Sequence, residues 1–178
     1  MNTFLVVLFI LIILITIVSI IYIKLYNQIN ELIVRIESAE TRFKKSLNDK
    51  FELLDKGVQI IRENVKIDES LFEDIIKFRA CRINDYDLDR TLEEYYNNFL
   101  MVYEKHKKLR ENEELVTCNK KLKLIEEEMI TLRKYHNVNV LEYNKLINKF
   151  PTKIIAKIKK MESKKIYDVS KEKEEEEN

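Results

Sequence analysis

Glycine and proline are almost missing from this chain: in 178 residues there is one of each, Gly57 and Pro151. Hairpin turns draw on glycine and other residues tolerant of positive φ, so a strand-rich fold would have little to turn on. Tryptophan is absent, and there are two cysteines and two histidines. Cys81 and Cys118 stand far apart and read as small apolar residues in a reducing compartment, not as a disulfide framework. His106 and His136 lack neighbours at metal-ligand spacing, so no metal site is expected. Charge of one sign is missing too. With 32 basic against 31 acidic side chains there is no global field to draw nucleic acid. No nucleotide-binding loop or catalytic constellation follows, and no cofactor or catalytic residue is assigned.

What the chain does have is grease at one end. Met1 to Ile23 contains no charged side chain, and from Phe4 onward nearly every position is Leu, Ile, Val or Phe. About 20 such residues in a helix cross a hydrocarbon layer of roughly 30 Å, and a helix satisfies its own backbone there. Met1-Asn2-Thr3 carries no Lys or Arg and no Ala-x-Ala site follows, which favours a retained anchor over a cleaved signal peptide. Lys24, Arg35, Arg42, Lys44 and Lys45 follow the apolar run, whereas nothing basic precedes it. Basic flanks stay inside, so a cell-membrane protein with a short outer N-terminus and a cytoplasmic body is expected.

The remaining residues, dominated by Glu, Lys, Leu and Ile, suit an all-α body with a single core. Leu25, Ile29, Leu32, Ile36, Ala39, Phe43, Leu47, Phe51, Leu54, Val58 and Ile61 recur in steps of three and four. That is one helix face, continuing from the anchor to about Asn64. Gly57 marks a kink or a close helix contact within it. Asp68 can cap a second helix through Leu71, Phe72, Ile75, Ile76 and Phe78. Residues 84–87 read as a turn, after which a third helix uses Leu88, Leu92, Tyr95, Phe99, Val102 and Tyr103. Asn112, followed by Glu113 and Glu114, caps a last long helix that should stop at Phe150, ahead of Pro151. The expected architecture is an antiparallel up-and-down bundle of about four helices. Its parts are an anchor (1–23), the bundle (24–151), a basic amphipathic segment (152–167) and an acidic, disordered tail (168–178).

In the last long helix Glu126, Met129, Arg133, His136, Val140, Tyr143, Ile147 and Phe150 form one stripe, with Asn137 and Asn144 beside it. A Glu or Arg on a seam needs a partner, because an unpaired buried charge is expensive. The pattern Glu126-x-x-Met129, Arg133-x-x-His136-Asn137, Tyr143-Asn144, Phe150-Pro151 resembles the LemA family. That family carries Glu, Ile, Arg, Tyr-Asn, Tyr-Asn and Phe-Pro at this spacing. Leu25-Tyr26-Asn27 after the anchor and Lys50, Leu53 and Leu54 agree as well. His136 replaces the usual Tyr, the family's Pro-Asn is absent near Asp55 and Lys56, and the middle third carries little resemblance. The resemblance implies a membrane-anchored antiparallel helical bundle and implies no particular chemistry.

If the first and last helices run antiparallel, Tyr26 and Asn27 lie near Tyr143, Asn144 and Phe150. A polar and aromatic cluster is expected there, with Asn27 and Asn144 hydrogen-bonded across helices, the alternative being ordinary core and cap residues; Glu126, Arg133 and Asn137 of the stripe complete the candidate structural set with Tyr26, Asn27, Tyr143, Asn144 and Phe150. The same geometry delivers Lys153, Lys157, Lys159, Lys160, Lys164 and Lys165 to the inner leaflet, the alternative being a segment packed back on the bundle. The leading function is a non-enzymatic scaffold or interaction module with an unidentified protein partner. The second is a lipid-surface or envelope-stress module binding anionic membrane. The oligomeric state is not legible.

Overall fold

The computed structural model describes residues 3–72 and 85–167, and all the regular structure among them is helical. A single helix, α1, runs Thr3–Asn64; a 3-10 turn follows at Glu69–Phe72. Then come α2 (Asp85–Lys105), the short α3 (Lys107–Arg110), the long α4 (Glu113–Asn148) and the short α5 (Thr152–Ile158). Ile75, Ile76, Phe78 and Cys81, and with them most of the expected second helix, lie outside the described residues. So does the acidic tail.

Local signals place the boundaries. Asp68 accepts from both the backbone N–H (3.1 Å) and the hydroxyl (2.8 Å) of Ser70, closing the 3-10 turn. Those two donors, the hydroxyl foremost, hold the Asp68 carboxyl below its ordinary range. Asn112 caps α4 as expected: its Oδ1 accepts the Leu115 N–H at 3.0 Å, with Glu113 and Glu114 in the positive first turn. At the other end α4 stops two residues short of Phe150. Thr152 Oγ1 sits 2.5 Å from the Leu146 carbonyl and 2.6 Å from that of Lys149, so its one proton serves the orphan carbonyls of the last turn.

Contacts divide the chain into two compact units, one made of Met1–Ala39 with Lys134–Asn178, the other of Glu40–Arg133. In the first unit Ile29, Leu32 and Ile36 of α1 share a core with Val140, Tyr143 and Ile147 of α4 and Ile155 and Ala156 of α5. Residues Phe4 to Ile23 bury none of their best apolar window, which is long and apolar enough to cross a membrane.

In the second unit α1 and α4 run antiparallel. Arg42 pairs with Glu128 at 3.0 Å, Cys118 Sγ donates to the Leu53 carbonyl at 3.2 Å, and Lys108 reaches the Asn64 carbonyl at 3.3 Å. Gly57 is a point of close approach. A Cβ there would lie 2.8 Å from Phe99 Cε2 and 3.2 Å from Cys118 Sγ, so α2 and α4 both come in over the missing side chain. Phe72 stacks on Tyr95, and Asn98 Nδ2 donates to the Leu71 carbonyl, tying the 3-10 turn to α2.

Candidate functional site

The polar residues of the α4 stripe resolve into two constellations, one in each unit. The first is ionic. Lys50 on α1 is 1% exposed, and its Nζ lies 2.5 Å from Glu126 Oε2 and over the Tyr96 ring, 5.6 Å from the centroid. Arg133 donates from Nη2 to Asp89 Oδ2 at 2.7 Å, both side chains being largely buried, and lies 5.9 Å from the Phe43 ring centre. Glu93 adds a third carboxylate to the same field. Burial pushes the Asp89 carboxyl above its ordinary range, against the pull of Arg133 and Lys50. Glu93 is raised for the same first reason, with Glu126 and Asp89 adding repulsion. Two cations and two carboxylates thus share one partly dry space, with the more exposed Glu93 at its edge, and each cation has an acidic partner.

The seam differs here from the apolar face expected on α1. Phe51 was placed on that face, but Lys50 occupies it, fully buried, while Phe51 is half-buried. Spacing does not separate the two, since Leu47-Lys50-Leu54 and Leu47-Phe51-Leu54 both keep the three-and-four rhythm. A Glu on the facing stripe asks for a cation of this kind.

The second constellation uses neutral amides. After α5 the chain leaves the helix through Lys160, whose φ of 51° is left-handed. The Met161 N–H then reaches the Ala156 carbonyl (2.9 Å) and the Lys160 N–H that of Lys157 (3.2 Å), a Schellman closure with a lysine where glycine is favoured. Residues 161–167, outside any helix, return along α4. Asn144 donates from Nδ2 to the Lys164 carbonyl (2.8 Å) and accepts the Lys164 N–H (2.9 Å). Asn137 does the same for Tyr167, at 2.9 and 2.8 Å. Tyr143 donates to the Glu162 carbonyl at 3.2 Å, and the Tyr167 ring lies 4.4 Å from that of His136. The spacing matches: seven helical residues advance about 10.5 Å and three extended ones about 10 Å, so two asparagines meet every third residue of the strap. Burial alone raises the Tyr143 phenol above its ordinary value.

Of the expected cluster, then, Glu126 and Arg133 belong to the ionic set, and Asn137, Tyr143 and Asn144 to the strap. The cross-helix pairing of Asn27 with Asn144 is corrected: Asn27 is exposed, and Asn144 spends both ends of its amide on Lys164. Tyr26 is half-buried, stacked on Tyr22 with Lys159 Nζ 5.6 Å from its ring centre. Phe150 is 76% exposed and joins neither set. The basic segment is helical only as far as Ile158. Lys153, Lys157, Lys159, Lys160 and Lys165 are exposed, while Lys164 is half-buried in the strap.

Cys118 is buried, and burial raises its thiol above the ordinary range despite Lys56 and Lys121, which disfavours the thiolate. Among the described residues no group of His, Cys, Asp or Glu is arranged to hold a metal ion. On the α1–α4 surface of the second unit, an open groove of about 520 Å³ is lined by Leu53, Leu124 and Ile125 together with Glu52, Lys56 and Lys121.

The class defined by these features is an all-helical bundle protein with one long apolar N-terminal helix. The LemA family model matches residues 24–178, and the chain belongs to the LemA family. No curated protein and no solved structure matches it.

Proposed function

We propose that this LemA-family chain is a non-enzymatic, membrane-tethered helical module that offers its body to a protein partner beside the cytoplasmic membrane. The observation that carries the reading is the apolar stretch itself. Its large apolar side chains from Phe4 to Ile23 are all exposed, and so much exposed hydrocarbon needs lipid around it. The excess of Lys and Arg after the stretch supports a body on the inner side.

The interaction role is supported by how the buried polar groups are used. Lys50, Glu126, Arg133, Asp89, Asn137 and Asn144 are spent on one another or on main chain. The α1–α4 groove, lined by apolar side chains and by charges of both signs, suits an amphipathic helical segment.

Membrane fractionation with alkaline carbonate extraction tests the tether: the full-length protein should stay in the pellet. Protease added to intact cells should leave the body uncut and digest it after permeabilisation. Release into the carbonate supernatant overturns the tether, and digestion in intact cells overturns the orientation.

A further inference from the structure

The short helix α5 has two apolar faces and the protein core uses one of them. Thr152, Ile155 and Ala156 are buried against α1 and α4 in the first unit. Ile154 and Ile158, one turn apart on the opposite side, are 53% and 68% exposed, and Phe150, one turn's length earlier, is 76% exposed. Lys153 and Lys157, also exposed, flank them at the same spacing. A soluble helix of this kind would turn charged residues outward; here the outward side pairs branched aliphatics with lysine. That combination is the pattern of a helix lying in a membrane interface, with apolar side chains among the acyl chains and ammonium groups at headgroup level.

Position in the fold agrees. Lys159, which ends α5, sits over the ring of Tyr26, and Tyr26 lies parallel to Tyr22 with 6.1 Å between centroids. Tyr22 is inside the uncharged stretch, and tyrosines gather at the boundary between hydrocarbon and water. The helix α5 is therefore held beside the end of the apolar stretch. The strap fixes it there: leaving α5 at Lys160, the chain is clipped to α4 at Lys164 and Tyr167 by the two asparagines.

We propose that Phe150, Ile154 and Ile158 form an interfacial foot that dips into the leaflet adjoining the body, with Lys153 and Lys157 selecting anionic phospholipid. The proposal rests on the membrane reading above and adds a second, lipid-selective contact to the anchor. The foot sets how the first unit meets the bilayer, which a single spanning helix leaves free to rotate and tilt.

Because the chain has no tryptophan, one introduced indole is an unambiguous reporter. Full-length Phe150→Trp protein would be reconstituted in phosphatidylcholine bilayers with and without phosphatidylglycerol. Shallowly and deeply brominated lipids and aqueous iodide would serve as quenchers, and Phe9→Trp as a reporter of the anchor. The expected result is blue-shifted Phe150→Trp emission, quenched by bromine and shielded from iodide, more strongly with phosphatidylglycerol. Adding Lys153→Gln and Lys157→Gln should reduce it to the level seen in phosphatidylcholine alone. If Phe9→Trp is quenched by deep bromine while Phe150→Trp stays open to iodide in both bilayers, the foot is wrong and the anchor stands. If Phe9→Trp is also open to iodide, the membrane reading itself has failed. Quenching of Phe150→Trp indifferent to anionic lipid and to the lysine changes would overturn the lipid selectivity.

Discussion

In the unit formed by Glu40–Arg133, the constellation built on the α4 stripe is ionic, and its charged side chains meet their opposites across helices. In the unit formed by Met1–Ala39 and Lys134–Asn178, the corresponding constellation is built on two amides and a phenol, which meet main chain. The difference follows from what each must hold. Helices have already satisfied most of their own backbone, so a charged residue on a helix–helix seam finds its partner chiefly in another side chain. A non-helical strap brings unsatisfied N–H and C=O groups with it, and an asparagine offers a donor and an acceptor at the spacing of both. Ion pairs specify which helix faces which, at a cost in desolvation; amide clips hold a segment that has no hydrophobic period of its own.

The sharpest way to break this contrast is to strip the ionic side of one partner. Glu126→Ala leaves the Lys50 ammonium buried without its carboxylate and should cost about 3 kcal/mol in denaturant unfolding. The double change Lys50→Met with Glu126→Leu should recover most of that loss, as an apolar seam of similar volume would. On the amide side, Asn144→Ala removes two hydrogen bonds to Lys164 and should cost about 1–2 kcal/mol. Its distinctive readout is local: amide exchange at Lys164 should accelerate strongly while amides of the α1 core change little. If Asn144→Ala instead destabilises the molecule globally, the strap is part of the folding core and the comparison loses its meaning.

Gly57→Ala sharpens the ionic unit's dependence on close packing. The added methyl must displace Phe99, which is fully buried, and the loss of about 1–2 kcal/mol outweighs the gain in helix propensity. Lys160→Gly should act in the opposite direction on the strap side, stabilising by about 1 kcal/mol because the left-handed closure no longer carries a Cβ.

Smallest of all is Glu93→Gln. The Glu93 carboxyl is raised, so its contribution is most favourable in acid, where it is protonated, and is lost as pH rises through its folded-state value. The variant should therefore be slightly more stable than the parent at neutral pH, with the gap closing as pH falls through the carboxylate range. A gap that widens in acid would mean that Glu93 is held ionised.

Much of this was legible from residue spacing. The face of α1, the Asn112 cap, the stop before Pro151 and the crowding at Gly57 all follow from local rules, because each depends on a residue type at a fixed place in a helix. Periodicity treats Lys50 and Phe51 alike and hydrophobicity favours Phe51, yet it is Lys50 that is buried, because a carboxylate faces it. The need for partners of Glu126 and Arg133 could be read; that they are Lys50 and Asp89 depends on which helices meet and at what height. Asn144 was paired with Asn27 because side-chain arguments look for side chains. Its real partner is the backbone of Lys164, and residues 161–167 announce themselves by no period, cap or turn.

The amide clips also determine how freely this chain can drift. Asn137 and Asn144 grip groups that all but one of the amino acids possess, so Lys164 and Tyr167 are recognised by what they share with nearly every residue and hardly by what distinguishes them. Substitution along the strap should accordingly be cheap, with proline at Lys164 or Tyr167 the clear exception, since it alone has no amide hydrogen to surrender.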